Sequence, residues 1–142
     1  MSPQKICDSI AQQLTDPDQN TVVVFERFIK FAVTLVNSTE ELQEELIGKD
    51  FIIQMHLTDI EFDFYLRIHK GKVKYHKNFN KEATLKVELT KDQMIRMIKG
   101  ELKAIDGFMK GTLKAYGSLG HGLLFIKIFR LILRYLNGKK SK

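Results

Sequence analysis

The segment FIIQMHLTDIEFDFYLRIHKGKVKYH, residues 51–76, decides the fold. Its repeat is two. Phe51, Ile53, Met55 and Leu57 alternate with Ile52, Gln54, His56 and Thr58, and further on Phe62, Phe64, Leu66 and Ile68 alternate with Asp63, Tyr65, Arg67 and His69. Successive side chains of a strand point to opposite faces, so this pattern predicts two strands with one buried face. Lys70-Gly71 supplies a tight turn into a third strand, Lys72–His76, where Val73 and Tyr75 alternate with basic positions. The hairpin register pairs His56 near Asp63 and sends His69 to the opposite end.

Outward from this meander the period changes. Ala83–Leu89 repeats the strand pattern through Leu85 and Val87, and a fifth strand is predicted over about Thr112–Tyr116. Thr90 with Gln93 three residues on caps a helix that ends at Gly100, a short helical or irregular piece leads to Gly111, and a last helix starts near Ser118. Upstream, Val22–Val36 places Phe25, Phe28, Ile29, Ala32, Val33 and Val36 at spacings of three and four, one helical face. Ser38 with Glu41 reads as a capping box starting a helix that stops at Gly48. The fold class is therefore α+β: a five-stranded, mainly antiparallel sheet covered on one face by helices. Residues 1–21, polar and carrying Pro3 and Pro17, read as a lead-in with a short helix. Residues 22–142 read as one domain, with 22–36 an extra apolar helix.

At 142 residues the chain can bury about 68–70% of its unfolded surface, and it needs no staple. Cys7 is the single cysteine, which excludes an intrachain disulfide and fits a reducing, cytoplasmic setting. Nothing at the start reads as a secretory signal. The net charge of +6 is unevenly spread: residues 1–63 hold 4 basic and 12 acidic side chains, residues 64–142 hold 19 and 5. Val22–Val36 and Leu123–Leu136 are the most apolar stretches, and each is too short and too charged to span a bilayer.

From about Glu41 onward the chain resembles the sterol carrier protein type 2 family. The strings that carry the resemblance are Asp106-Gly107-Phe108-Met109-Lys110-Gly111-Thr112-Leu113-Lys114-Ala115-Tyr116-Gly117, and Ala83-Thr84-Leu85-Lys86-Val87-Glu88-Leu89-Thr90-Lys91-Asp92 followed by Met97-Ile98-Lys99-Gly100. The resemblance implies an apolar cavity between the sheet and the C-terminal helix that takes fatty acyl chains, acyl-CoA, sterols or isoprenoid lipids. Two features depart from the family pattern. Val22–Val36 lies ahead of the usual start, and Lys140-Ser141-Lys142 is not the Ser-Lys-Leu type of peroxisomal signal.

In the last helix the charges Lys127, Arg130 and Arg134 form one narrow stripe on an otherwise apolar surface. Either Leu124, Ile128, Leu131 and Ile132 are ordinary core, or the excess apolar surface has one of three destinations: a ligand cavity, a membrane surface, or another protein. With the family cavity in view, the expected lipid wall comprises Ile53, Met55, Phe64, Leu66 and Leu85 from the sheet, Met94, Met97, Phe108 and Met109 from covering elements, and Leu124, Ile128, Leu131 and Ile132 from the last helix. Methionine adapts to irregular apolar partners, which suits such a wall. Ser118 reads either as an N-cap or, in Gly117-Ser118-Leu119-Gly120-His121-Gly122, as part of a head-group site. Lys127, Arg130 and Arg134 are the matching cations for a head group or an anionic membrane.

Chemistry is poorly represented. His56, His69, His76 and His121 do not converge by register, Cys7 has no partner motif, and the glycines lack the spacing of a phosphate or dinucleotide loop, so no cofactor, metal or catalytic residue is expected. Alternation puts Tyr75 opposite Lys72 and Lys74, which weighs against stacking on nucleic acid. The sequence therefore points to a non-catalytic protein that binds or transfers a lipid, with transient contact to an anionic membrane. The alternative is a structural or assembly module whose apolar helices, especially Val22–Val36, bind a partner chain or form a homodimer.

Overall fold

A computed structural model of the chain describes residues 12, 13 and 20–136. The expected lead-in, with Cys7 and most of its short helix, lies outside the described residues, as does the Lys140–Lys142 end. Helix α1 spans Thr21–Ser38, slightly longer than the apolar period alone predicts, because Asn20 stands outside the helix and its side chain accepts a hydrogen bond from the Val23 N–H. Helix α2 is short, Glu40–Glu44. The expected capping box of Ser38 and Glu41 does not form. Ser38 is the last residue of α1 and its hydroxyl donates back to the Thr34 carbonyl (2.7 Å), so Thr39 takes the extended cap position without a side-chain bond. Turns then carry the chain to Gly48, which adopts a positive φ.

The strands are β1 Phe51–Leu57, β2 Phe62–His69, β3 Lys72–Lys77, β4 Leu85–Leu89 and β5 Lys114–Gly117, in the order β3-β2-β1-β4-β5. Positive φ at both Lys70 (52°) and Gly71 (74°) makes the β2–β3 turn of the primed kind that matches strand twist. Pairing is antiparallel except between β1 and β4, which are parallel. Ile53 faces Leu66 on one side and Leu85 on the other, and Met55 faces Phe64 and Val87, so one face of the sheet is continuously apolar. On the opposite face Gln54 is fully buried. Its side chain donates to the Phe64 and Asn78 carbonyls and accepts from the Asn80 N–H, fastening the β3–β4 loop across that face.

Helix α3, Lys91–Ile98, begins with the expected Thr90–Gln93 capping box, and α4, Ala104–Lys110, follows it. Helix α5, Leu119–Leu136, lies on the apolar face with its start over β4 and β1: Gly122 faces Leu85, and the His121 ring stacks on Phe51 at 3.9 Å. Gly117 sets that start. Its φ is +114°, and a Cβ there would sit 2.1 Å from the Thr84 carbonyl oxygen, which instead accepts the Ser118 N–H. On the same apolar face, over the β3 side, α1 packs against β3 and α5.

The tie between α1 and the edge strand is polar. Asn37 donates to the Val73 carbonyl and accepts from the Val73 N–H, both at 2.8 Å, so its amide stands where a sixth strand would pair. Replacing Asn37 with Ala leaves both Val73 groups unsatisfied in a half-buried setting. The expected loss is about 2 kcal/mol of stability, measured as a lower urea midpoint at unchanged slope.

Candidate functional site

Between the sheet, α1 and α5 lies a cavity of about 90 Å³. Its α1 wall is Phe28, Ile29, Ala32, Val33 and Val36, joined by Leu46 just beyond α2. The floor is Phe51, Ile53, Met55, Phe64, Leu66, Ile68 and Val73, with Met94 of α3 at its margin. The α5 wall is Leu124, Phe125, Ile128, Phe129 and Ile132. Every lining side chain is apolar. The spacings 28, 29, 32, 33, 36 and 124, 125, 128, 129, 132 show why: each helix turns one stripe inward at the helical period.

Polar contacts gather outside this seam. Beside Phe64, the Tyr75 hydroxyl donates to Glu26 Oε2 on α1 (2.7 Å), and Lys77 Nζ stands 3.7 Å from the same carboxylate. Burial and then the Glu26 hydrogen bond push the Tyr75 hydroxyl well above the ordinary tyrosine range. On the far flank Tyr135 donates to Glu41 (2.6 Å) and Lys127 pairs with Glu45 (2.9 Å), tying α5 to the α2 segment. Among the described residues no hydrogen bond or ion pair joins α1 directly to α5.

Eight of the residues expected in a lipid wall meet in this cavity: Ile53, Met55, Phe64, Leu66, Met94, Leu124, Ile128 and Ile132. Five do not. Leu85, Phe108 and Met109 border a separate surface groove because β5 and α4 lie on the side of α5 away from α1. Met97 is packed in the core one turn beyond Met94, and Leu131 is buried beside the cavity stripe of α5 without lining the cavity. The four head-group candidates do not converge. Ser118 Oγ accepts the His121 N–H (3.2 Å) as an N-cap, Lys127 is held by Glu45, and Arg130 and Arg134 border an outer groove against α4. The α1 wall was absent from the sequence-derived set, although its spacing of three and four was visible. Periodicity shows that a helix has an apolar face but not what the face meets.

The four histidines are separately occupied: His56 with Asp63 (2.6 Å), His69 with Asp50 (3.1 Å), His121 with Thr84 (2.7 Å), and His76 stacked on the Tyr65 ring (4.9 Å). Among the described residues no three of His, Cys, Asp or Glu are grouped to hold a metal ion. No helix among them is long and apolar enough to cross a membrane.

The fold, helices over a mostly antiparallel five-stranded sheet, has known counterparts. The model of the SCP-2 sterol transfer family matches residues 31–130. The chain belongs to that family. The match begins inside α1 and ends inside α5, so it takes in both cavity walls only in part. Among solved structures the fold is similar to apo sterol carrier protein 2 from Yarrowia lipolytica, at 19% identity, TM-score 0.61, and coverage of 82% of this chain and 95% of that one. It is similar to palmitated SCP2L2 from Aedes aegypti at 12% identity and TM-score 0.55, covering 71% and 89%. It also resembles part of the sec-alkylsulfatase Pisa1 from Pseudomonas sp., at 22% identity and TM-score 0.53. That similarity covers 63% of this chain, which spans only 14% of the sulfatase. No curated protein matches the chain.

The Tyr75–Glu26 bond makes the α1 attachment sensitive to alkali. The native state keeps a proton that the unfolded chain releases near pH 10, so the contribution is complete below about pH 10 and is lost as pH rises toward the native value. Stability measured by urea midpoints should fall above about pH 10. Tyr75→Phe should show a shallower fall, with a residual slope from Tyr116 and Tyr135, whose hydroxyls are raised by their bonds to Glu88 and Glu41.

Proposed function

We propose that the protein binds a lipid chain in the seam between α1 and α5 and carries it without catalysis. One observation carries this reading: a cavity enclosed by three separate elements and lined by nothing but apolar side chains, in a chain of the SCP-2 sterol transfer family. Each buried methylene contributes about 0.8 kcal/mol, so a long chain binds such a wall without any specific polar contact. With no polar group in the lining, the head group stays at the mouth.

The volume bears on the ligand. A cavity of about 90 Å³ is smaller than the ~150 Å³ engineered cavity that holds benzene, so a lipid enters only as α1 and α5 separate. No hydrogen bond or ion pair across the seam resists that separation among the described residues. A flexible acyl or isoprenoid chain threads a narrow seam with less displacement than a fused-ring sterol. We therefore favour fatty acyl, acyl-CoA or isoprenoid ligands. The Aedes aegypti structure, described as palmitated, supports an acyl chain in this fold. The assembly-module reading loses its main motive, because Val24, Phe25, Phe28, Ile29 and Val36 of α1 are buried within the chain itself.

Ala32 tests the site. It lines the cavity from α1, and Ala32→Leu adds three carbons to the space without a polar or charged group. The variant should unfold at the same or a higher temperature, yet bind a fluorescent long-chain fatty acid about tenfold more weakly, a loss of about 1.4 kcal/mol. Native mass spectrometry of wild-type protein should show retained lipid. A wild-type protein that holds none and takes up no fatty acid overturns the reading.

A further inference from the structure

Helix α5 has a second apolar face that the cavity reaches only through Phe129. Leu119, Leu123, Ile126, Phe129 and Leu133 fall along it, and α4 runs beside it, presenting Ile105 and Met109. Two grooves, of about 520 and 600 Å³, lie end to end in the crease between these helices and share Ile105 and Ile126, so the crease is continuous. It is also open to solvent: Met109 is 81% exposed, Leu119 77%, Leu123 53% and Ile105 39%. A run of large apolar side chains at that exposure is costly in water and marks an interaction surface.

The rim shows what covers it. Lys103, Arg130 and Arg134 border one groove and Lys114 the other, while no acidic residue borders either. Among the described residues none of these four cations is in an ion pair, unlike Lys127 on the neighbouring flank, which Glu45 neutralises. Apolar side chains on a helix pair, flanked by uncompensated cations, match the layered chemistry of an anionic bilayer, with acyl chains below and phosphates above. One side chain joins this crease to the cavity. Phe129 lines both the outer groove and the inner seam, and its ring lies 6.1 Å from that of Phe125, which lines the seam alone.

We infer that the α4–α5 crease docks on an anionic membrane and that Phe129 is the partition through which a lipid chain passes from the bilayer into the cavity. The docking half stands without the proposed lipid cargo. The passage half rests on it.

The test is co-sedimentation with phosphatidylcholine vesicles with and without about one third phosphatidylserine. Wild-type protein should sediment with the anionic vesicles and stay in solution with the neutral ones. Met109→Ser combined with Leu123→Ser, both at exposed positions, should lower the bound fraction at least severalfold, and Arg130→Gln combined with Arg134→Gln should weaken binding about thirtyfold. Both pairs should still take up a fluorescent fatty acid supplied in solution. Phe129→Ala should load from labelled vesicles faster than wild type, and Phe129→Trp more slowly. Equal binding to neutral and anionic vesicles, or wild-type binding by both double variants, overturns the docking surface. A dimer in solution that Met109→Ser with Leu123→Ser converts to monomer also overturns it, since a second copy would then be the occupant. Vesicle-loading rates unchanged by either Phe129 substitution overturn the partition. Loss of fatty acid uptake in every form, wild type included, removes the cargo and leaves docking to stand on sedimentation.

Discussion

The apolar face of the sheet is wider than a helix. Five strands spaced at about 4.8 Å place the outer strands about 19 Å apart, whereas a helix with its side chains measures about 10–12 Å across. One helix cannot cover that floor, so the chain lays α1 over the β3 side and α5 over β4 and β1. A seam between two cylinders on a flat surface is unavoidable. How the seam is filled then decides the character of the site. Here Ala32 and Val33 on one side meet Leu124 and Ile128 on the other, leaving space instead of the interdigitation of an ordinary core.

The polar contacts are arranged around this seam and not within it. Asn37 and Glu26 attach α1 to β3, while Glu41 and Glu45 hold α5 through Tyr135 and Lys127. Hydrogen bonds are directional and lose most of their strength when stretched, whereas apolar contact is non-directional and transferable to a new partner. Placing the first kind at the flanks and the second in the middle produces a fold whose walls stay located while the space between them can be occupied. The same separation explains why α5 carries two apolar faces: one is matched by the seam, the other by the crease against α4.

The sheet was legible because its signals are local. Strict alternation gave the faces, Lys70-Gly71 gave the hairpin, and the register that brings His56 to Asp63 follows from those two facts. The parallel pairing of β1 with β4 was not legible, since nothing in Phe51–Leu57 or Leu85–Leu89 names its neighbour. The same gap separates the expected residues that line the cavity from those that do not. Ile53 and Leu85 belong to the same sheet face and are paired, yet only Ile53 lies under the seam; Leu85 falls on the far side of α5, under Gly122. Ser38 misled because a serine three residues before a glutamate satisfies the capping pattern equally well when its hydroxyl is already engaged with the preceding turn. Composition and period describe each element alone, and a cavity is a property of several elements together.

The seam is built from the first and last of the described helices. During synthesis α1 and the whole sheet leave the ribosome before α5 does, so the floor over β1 and β4 has no cover until residues 119–136 have emerged. For that interval Phe51, Ile53 and Met55 present an open apolar surface to solvent or to any chaperone near the exit. The cavity floor is therefore at its most accessible before α5 emerges, and α5 is the element that closes it.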